Sequence, residues 1–177
     1  MPPLTRAACD AGLAPQVFST VREDIVGGSA KKGIGGSSFL TEFGAQTPDL
    51  SKPDDEETVQ LLAVLAEADR HLQSWTYWDI GSLVNGSTGF NMDHMGAFVR
   101  AYAQAVAGTP TRMRYDPHTR VFLLEYRQVE EPDAHGGQPT EIFVPQYAYP
   151  HGFEVATSSD LQHQMGCDPL RPRGTLR

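Results

Sequence analysis

The sequence predicts two folds in one chain: an α/β segment with parallel strands, then an all-β segment. Three observations carry this. Two short apolar-aromatic runs, Phe39-Leu40-Thr41-Glu42-Phe43 and Ser74-Trp75-Thr76-Tyr77-Trp78-Asp79, bracket a helix pattern. Strand, helix and strand in that order have the span of a parallel crossover. After about residue 97 helical periodicity stops, and short β-type runs replace it.

In chain order, Pro2, Pro3, Gly12 and Pro15 make the start irregular. Gln16, Val17, Phe18, Val21, Ile25 and Val26 sit at helical spacing over 16–27, and Gly27-Gly28 ends the pattern. Gly28 to Ser38 is a loop of Gly, Ser and Lys, without the Gly-Lys-Ser/Thr order of a phosphate loop. Residues 38–43 are the first strand. Pro53 suits a first helical position, and Asp54, Asp55, Glu56 and Glu57 place negative charge at a helix N-terminus, where the macrodipole favours it. The helix is expected over 54–72, with Val59, Leu62, Leu65, Ala66 and Leu72 along its buried face. The second strand covers 74–79, parallel and adjacent to the first.

In the second segment, 113–115, 121–126 and 141–144 read as strands. Asp116-Pro117-His118-Thr119 suits a tight turn between the first two. Phe122, Leu124 and Tyr126 alternate with Val121, Leu123 and Glu125, so one face is apolar and the other mixed. Glu130 to Pro139 is a polar loop, and Leu161 to Arg177 shows no strand pattern.

Bulk properties limit the function. The 177 residues carry a formal net charge of −8, which argues against nucleic acid as a partner, because phosphate neutralisation needs cations in excess. No apolar run is long enough to span a membrane, so no transmembrane segment is expected. The first ten residues hold no apolar core of a signal peptide. Cys9 and Cys167 leave three states open: paired with each other, paired elsewhere, or reduced. The six histidines show no helical metal-ligand spacing, and Gly-x-Ser-x-Gly is absent. Asn85-Gly86-Ser87 is a glycosylation sequon.

Three residues could carry chemistry. In a parallel barrel the catalytic face lies at the C-terminal ends of the strands, so a carboxylate such as Glu42 would enter the site. It could attack an anomeric carbon as a nucleophile, or be an exposed acid where strand meets loop. Trp78 could stack on a sugar face, whereas Trp75, on the other side of a regular strand, suits the core. Asp79 could orient a sugar hydroxyl or cap the next turn.

These two motifs together resemble glycoside hydrolase family 5, and look most like its endoglycoceramidase branch. Val99-Arg100-Ala101-Tyr102-Ala103-Gln104-Ala105-Val106-Ala107-Gly108-Thr109-Pro110 is similar to the segment leading from barrel to sandwich in those enzymes. Thr140-Glu141-Ile142-Phe143-Val144-Pro145 and Tyr149-Pro150-His151-Gly152 look like sandwich strands. The resemblance implies the C-terminal strands and helices of a (β/α)8 TIM barrel over 1–97, and a C-terminal β-sandwich, complete or not, over 98–177. It makes Glu42 the nucleophile of a retaining mechanism and Trp78 a substrate-binding residue, beside which Asp79 stays the candidate for orienting a sugar hydroxyl. It implies a glycosphingolipid or other β-glycoside as substrate, no metal or organic cofactor, and a secreted or lysosomal location.

The family's acid/base glutamate stands in an Asn-Glu-Pro type motif, and no Asn-Glu pair occurs here. The expectation is therefore a C-terminal fragment, inactive alone. Two alternatives stay open: a related glucosylceramidase or steryl-β-glucosidase, and a non-catalytic glycolipid- or carbohydrate-binding protein.

Overall fold

The computed structural model describes residues 39–44, 48–86, 89–128 and 139–158, with the backbone of 165–166 and 175–176. The helix expected over 16–27, the loop after it, both cysteines and most of the 130–139 loop lie outside the described residues. The chain divides into two compact units, Met1–Ala97 and Phe98–Arg177.

In the first unit, strand β1 (Phe39–Leu40) pairs in parallel with β2 (Ser74–Trp75), Phe39 beside Ser74 and Leu40 beside Trp75. Helix α1 (Glu56–Arg70) connects them. The expected strand–helix–strand unit with adjacent parallel strands is present. The regular strands are shorter than expected, but backbone bonds continue past them, from Thr76 N–H to Leu40 O (3.0 Å) and from Trp78 N–H to Phe43 O (2.8 Å).

The start of α1 corrects one detail. Pro53 is not a first helical residue; it precedes the helix by three positions, and Asp55 is the N-cap, accepting from Thr58 N–H at 3.4 Å. Glu56 and Glu57 form the acidic first turn. Upstream, Asp49 anchors the entry loop. Its N–H donates to Thr58 Oγ1 (2.8 Å), and that hydroxyl donates back to Asp49 O (3.1 Å). The Ser51 hydroxyl and N–H both donate to Asp49 Oδ1, and Lys52 sits 3.2 Å from Oδ2.

The buried face of α1 is Thr58, Val59, Leu61, Ala63, Leu65, Ala68 and Asp69. Val59 and Leu65 were expected there. Leu62 is only half-buried and Ala66 and Leu72 are exposed, because the face is centred on 58, 61, 65 and 68, one position before the expected line. The helix ends in a Schellman motif: Gln73 N–H bonds Ala68 O (2.8 Å) and Leu72 N–H bonds Asp69 O (3.0 Å). Leu72 takes the left-handed conformation (φ 53°) usually given to glycine.

Beyond β2, a 3-10 helix covers Ile80–Leu83 and a short hairpin pairs β3 (Val84–Asn85) with β4 (Gly89–Phe90). Helix α2 (Met92–Met95) follows, capped by Asn91. Asn85 of the sequon is exposed on β3, while Ser87 lies outside the described residues.

In the second unit, β5 (Tyr102–Ala105) and β8 (Glu141–Phe143) are antiparallel neighbours in a four-stranded sheet completed by β10 (Thr175–Leu176) and β9 (Met165–Gly166). A long hairpin joins β6 (Gly108–Asp116) to β7 (Val121–Gln128). Phe122, Leu124 and Tyr126 are half-buried and Val121, Leu123 and Glu125 exposed, following the expected alternation. The turn closes as expected: Asp116 Oδ1 accepts from His118 N–H (2.9 Å) and Thr119 N–H (3.3 Å).

Two strands lie where no pattern was expected. Residues 165–166 and 175–176 pair with each other, and 175–176 with β8. Two-residue strands leave no periodicity to read, since pairing depends on backbone groups brought close by the rest of the sheet.

Buried Tyr115 lies beneath the equally buried Arg100, whose guanidinium carbon is 5.2 Å from the ring centroid. Burial, offset in part by Arg100, raises the Tyr115 phenol. Burial likewise pushes Tyr149 up to about 12, with the neighbouring Tyr115 adding to it.

Candidate functional site at the strand ends

The site is built on the C-terminal ends of β1 and β2. Leu40 O and Phe43 O accept successive bonds from Thr76 and Trp78. Three steps along the first strand therefore face two along the second. The extra residue is a bulge at Thr41-Glu42, of the kind that re-aims side chains beside active sites.

The packing agrees with that shift. Without the bulge, Phe43 would fall on the face opposite Leu40. Instead its ring lies edge-on to both Trp75 and Tyr77, each at 5.7 Å between centroids. Trp75 is half-buried in this cluster, as expected of a core residue. The bulged Thr41 carbonyl accepts from the Thr76 hydroxyl. A Cβ at Gly44 would overlap the Trp78 carbonyl oxygen, so the backbone after the glutamate passes directly against the end of the second strand.

Glu42 is exposed just past β1, and Trp78 is 65 % exposed just past β2. Both therefore sit at the same end of the parallel pair. The Trp78–Asp79 peptide is cis. The Asp79 carboxylate accepts from Gly81 N–H and caps the 3-10 helix, so the capping alternative is realised in this structure. Ile80 (59 % exposed) and the cross-strand neighbours Val84 and Phe90 (42 % and 54 %) add apolar surface immediately downstream.

Sequence reasoning missed Thr76 and Gly44. The signal for Thr76 was faint: an alternating strand with a hydroxyl opposite the carboxylate-bearing run. Gly44 stands two residues after the glutamate, but its role depends on how closely the strands approach.

Chemically, the arrangement presents one carboxylate and one indole face at a strand-end rim. A second carboxylate partner for Glu42 is not identified among the described residues. The described residues also contain no cluster of three or more His, Cys, Asp or Glu side chains able to hold a metal.

Comparison with known proteins adds to this geometry. Residues 100–173 match the glycoside hydrolase family 5 C-terminal domain. A curated relative, endoglycoceramidase I of Rhodococcus hoagii (strain 103S), is 36% identical over 118 residues, covering 67% of this chain and 21% of its own length. Among solved structures, endo-glycoceramidase II from Rhodococcus sp., captured as a lactosyl-enzyme intermediate, superposes with a TM-score of 0.56 at 20% identity, covering 93% of this chain and 35% of that one. The same enzyme in complex with a cellobiose-like imidazole gives a TM-score of 0.52 at 19% identity, covering 96% and 37%. At that identity the structural likeness carries the fold alone. The chain thus spans about a fifth of the curated relative and about a third of the solved chains. The sequence match and the shared fold agree, and this chain belongs to glycoside hydrolase family 5, as an endoglycoceramidase-like member.

Proposed function

We propose that the chain contributes the nucleophile side of a retaining glycosidase that cleaves the bond between glycan and ceramide in glycosphingolipids. Residues 1–97 would be the C-terminal part of a TIM-barrel glycosidase domain, and 98–177 a C-terminal β-sandwich. Glu42 is the nucleophile. It attacks the anomeric carbon and displaces the ceramide oxygen, forming a glycosyl-enzyme ester that water then hydrolyses. Trp78 stacks on the sugar next to the cleaved bond. Asp79, held by its cap on the 3-10 helix, shapes the same rim and meets a sugar hydroxyl.

The observation that carries this reading is the bulged, parallel strand pair with Glu42 and Trp78 at one end, in a chain with an endoglycoceramidase relative. Glucosylceramide or steryl β-glucoside cleavage would use the same nucleophile strand, and only the aglycone contacts would differ. The lysosomal location drops out of the proposal, because the named relatives are bacterial and bacteria have no lysosome; a secreted enzyme remains the reading.

Retaining hydrolysis needs two carboxyl groups about 5–5.5 Å apart. Glu42 supplies one. Purified alone, the 177-residue chain is therefore expected to release no glycan above blank from a fluorogenic lactoside or from glycosylceramide micelles. In a form of the protein that does turn over these substrates, Glu42→Gln should leave the melting transition in place and remove activity by several orders of magnitude. Turnover that survives Glu42→Gln overturns the nucleophile assignment. Turnover by the chain alone, abolished by Glu42→Gln, keeps Glu42 but shows that a second carboxylate comes from these residues or from another copy.

A further inference from the structure

We propose that Thr76 is a positioning residue that sets the direction of Glu42. The inference rests on the nucleophile reading for its importance, but its geometry stands apart from it. A bulge takes backbone groups out of the ladder. Here the Thr41 and Glu42 carbonyls lie between the two ladder bonds, and the Thr41 carbonyl belongs to the peptide that leads directly into Glu42. Ladder bonds fix the backbone on either side, at Leu40 and at Phe43. Between them, the Thr76 hydroxyl reaches across to the Thr41 carbonyl.

The peptide joining Thr41 to Glu42 is rigid and planar, so holding its oxygen fixes the position of the Glu42 Cα, and the anchored Phe43 beyond it limits the backbone rotation that aims the Cβ. Phe43 closes the other side, locked between Trp75 and Tyr77. The residue that presents the carboxylate is therefore held at both flanks while its own side chain stays exposed. Threonine suits the task. Its β-branch restricts χ1, which keeps the hydroxyl aimed at its acceptor. Thr76 is itself exposed, so a burial role does not account for it.

The test uses isotope-labelled 177-residue protein as wild type, Thr76→Val and Thr76→Ser. Thr76→Val removes the donor and keeps the shape; Thr76→Ser keeps the donor. Two signals are read by nuclear magnetic resonance: the Thr41 carbonyl carbon shift, and the three-bond couplings that report the Glu42 χ1 rotamer. In Thr76→Val the Thr41 carbonyl shift should move and the Glu42 couplings should average over rotamers. Thr76→Ser should restore both, while the resonances of α1 stay unchanged in all three. If valine disturbs the strand, Thr76→Ala replaces it.

A purely structural threonine would not tie the Glu42 rotamer to the presence of a hydroxyl. Unchanged Thr41 and Glu42 signals in Thr76→Val overturn the proposal, as does a Thr76→Ser variant that behaves like valine. None of these readouts measures turnover, so failure of the nucleophile reading would show only in the Glu42→Gln activity assay.

Discussion

Gly44 shows most directly how a single residue shapes this site. Its Cα lies so close to the Trp78 carbonyl that any Cβ would collide with backbone, which cannot rotate away. Gly44→Ala must therefore push the two strand ends apart. Overpacking of this kind costs about 1–3 kcal/mol, so the variant should melt at lower temperature than wild type. Its tryptophan fluorescence should also shift, because Trp75 and Trp78 are the chain's two tryptophans and both flank the contact. An unchanged melt and spectrum would show that the strands separate at no cost. Glu42 itself is the opposite case. Its identity was readable in the sequence, but nothing about its orientation was, because that depends on the extra residue in the strand and on the hydroxyl facing it.

Helix α1 is where local rules decide most. Its acidic first turn and the presence of an apolar stripe follow from sequence, whereas the Asp55 cap and the exact buried line do not. Nor does its end. The Schellman bonds require a left-handed residue, and Leu72 occupies that position. An L-residue there costs roughly 1–2 kcal/mol, partly returned by the greater chain entropy that glycine loses on folding. Leu72 is 38 % exposed, so only the covered part of its side chain loses packing on removal. Leu72→Gly is expected to stabilise the protein by about 0.5–1 kcal/mol, read as a raised denaturation midpoint with unchanged m-value. A lowered midpoint would mean that the leucine side chain contributes more through its contacts than its backbone costs.

Across the whole molecule, charge and burial set the pH limits of stability for each unit separately. In the first unit the Ser51 hydroxyl and N–H, with Lys52, hold the Asp49 carboxyl below its ordinary value of 3.8. In the second, burial pushes Asp116 the other way, but the N–H groups of His118 and Thr119 outweigh it and hold that carboxyl below 3.8 as well. A depressed carboxyl gives stability that is full above the unfolded value and is lost as pH falls through the folded one. Both units should therefore lose stability once pH drops below 3.8. Tyr149 sets the alkaline side. Burial raises it from 10.0 to about 12, so its contribution is full below pH 10.0 and is lost as pH rises towards about 12. Amide exchange followed against pH should show acid loosening around Asp49 and Asp116, and alkaline loosening around Tyr149 and its neighbour Tyr115, whose phenol burial also raises. Alkaline loosening that began in α1 would contradict this assignment.

Much of this protein was legible in its residues. The apolar runs, the acidic helix start and the Asp116 turn are local signals, and each depends only on neighbours within a few positions. Pairing the Glu42 run with the Trp78 run as parallel strands was also readable, because a helix-long connection permits little else. The sequence alone therefore determined the strand–helix–strand unit, the β-hairpin with its apolar face, and the candidate residues Glu42, Trp78 and Asp79. Tertiary structure decided the rest. It set the buried line of α1 one position from the expected one, because what packs against a helix selects its face. It formed β9 and β10 from residues with no pattern of their own. It used Asp79 as a cap, and it placed one extra residue opposite Thr76, so that Phe43 turned into the aromatic cluster and Glu42 was held between two fixed neighbours. None of these is written in any single stretch of chain, because each depends on groups that are distant in sequence and adjacent only once the strands have paired.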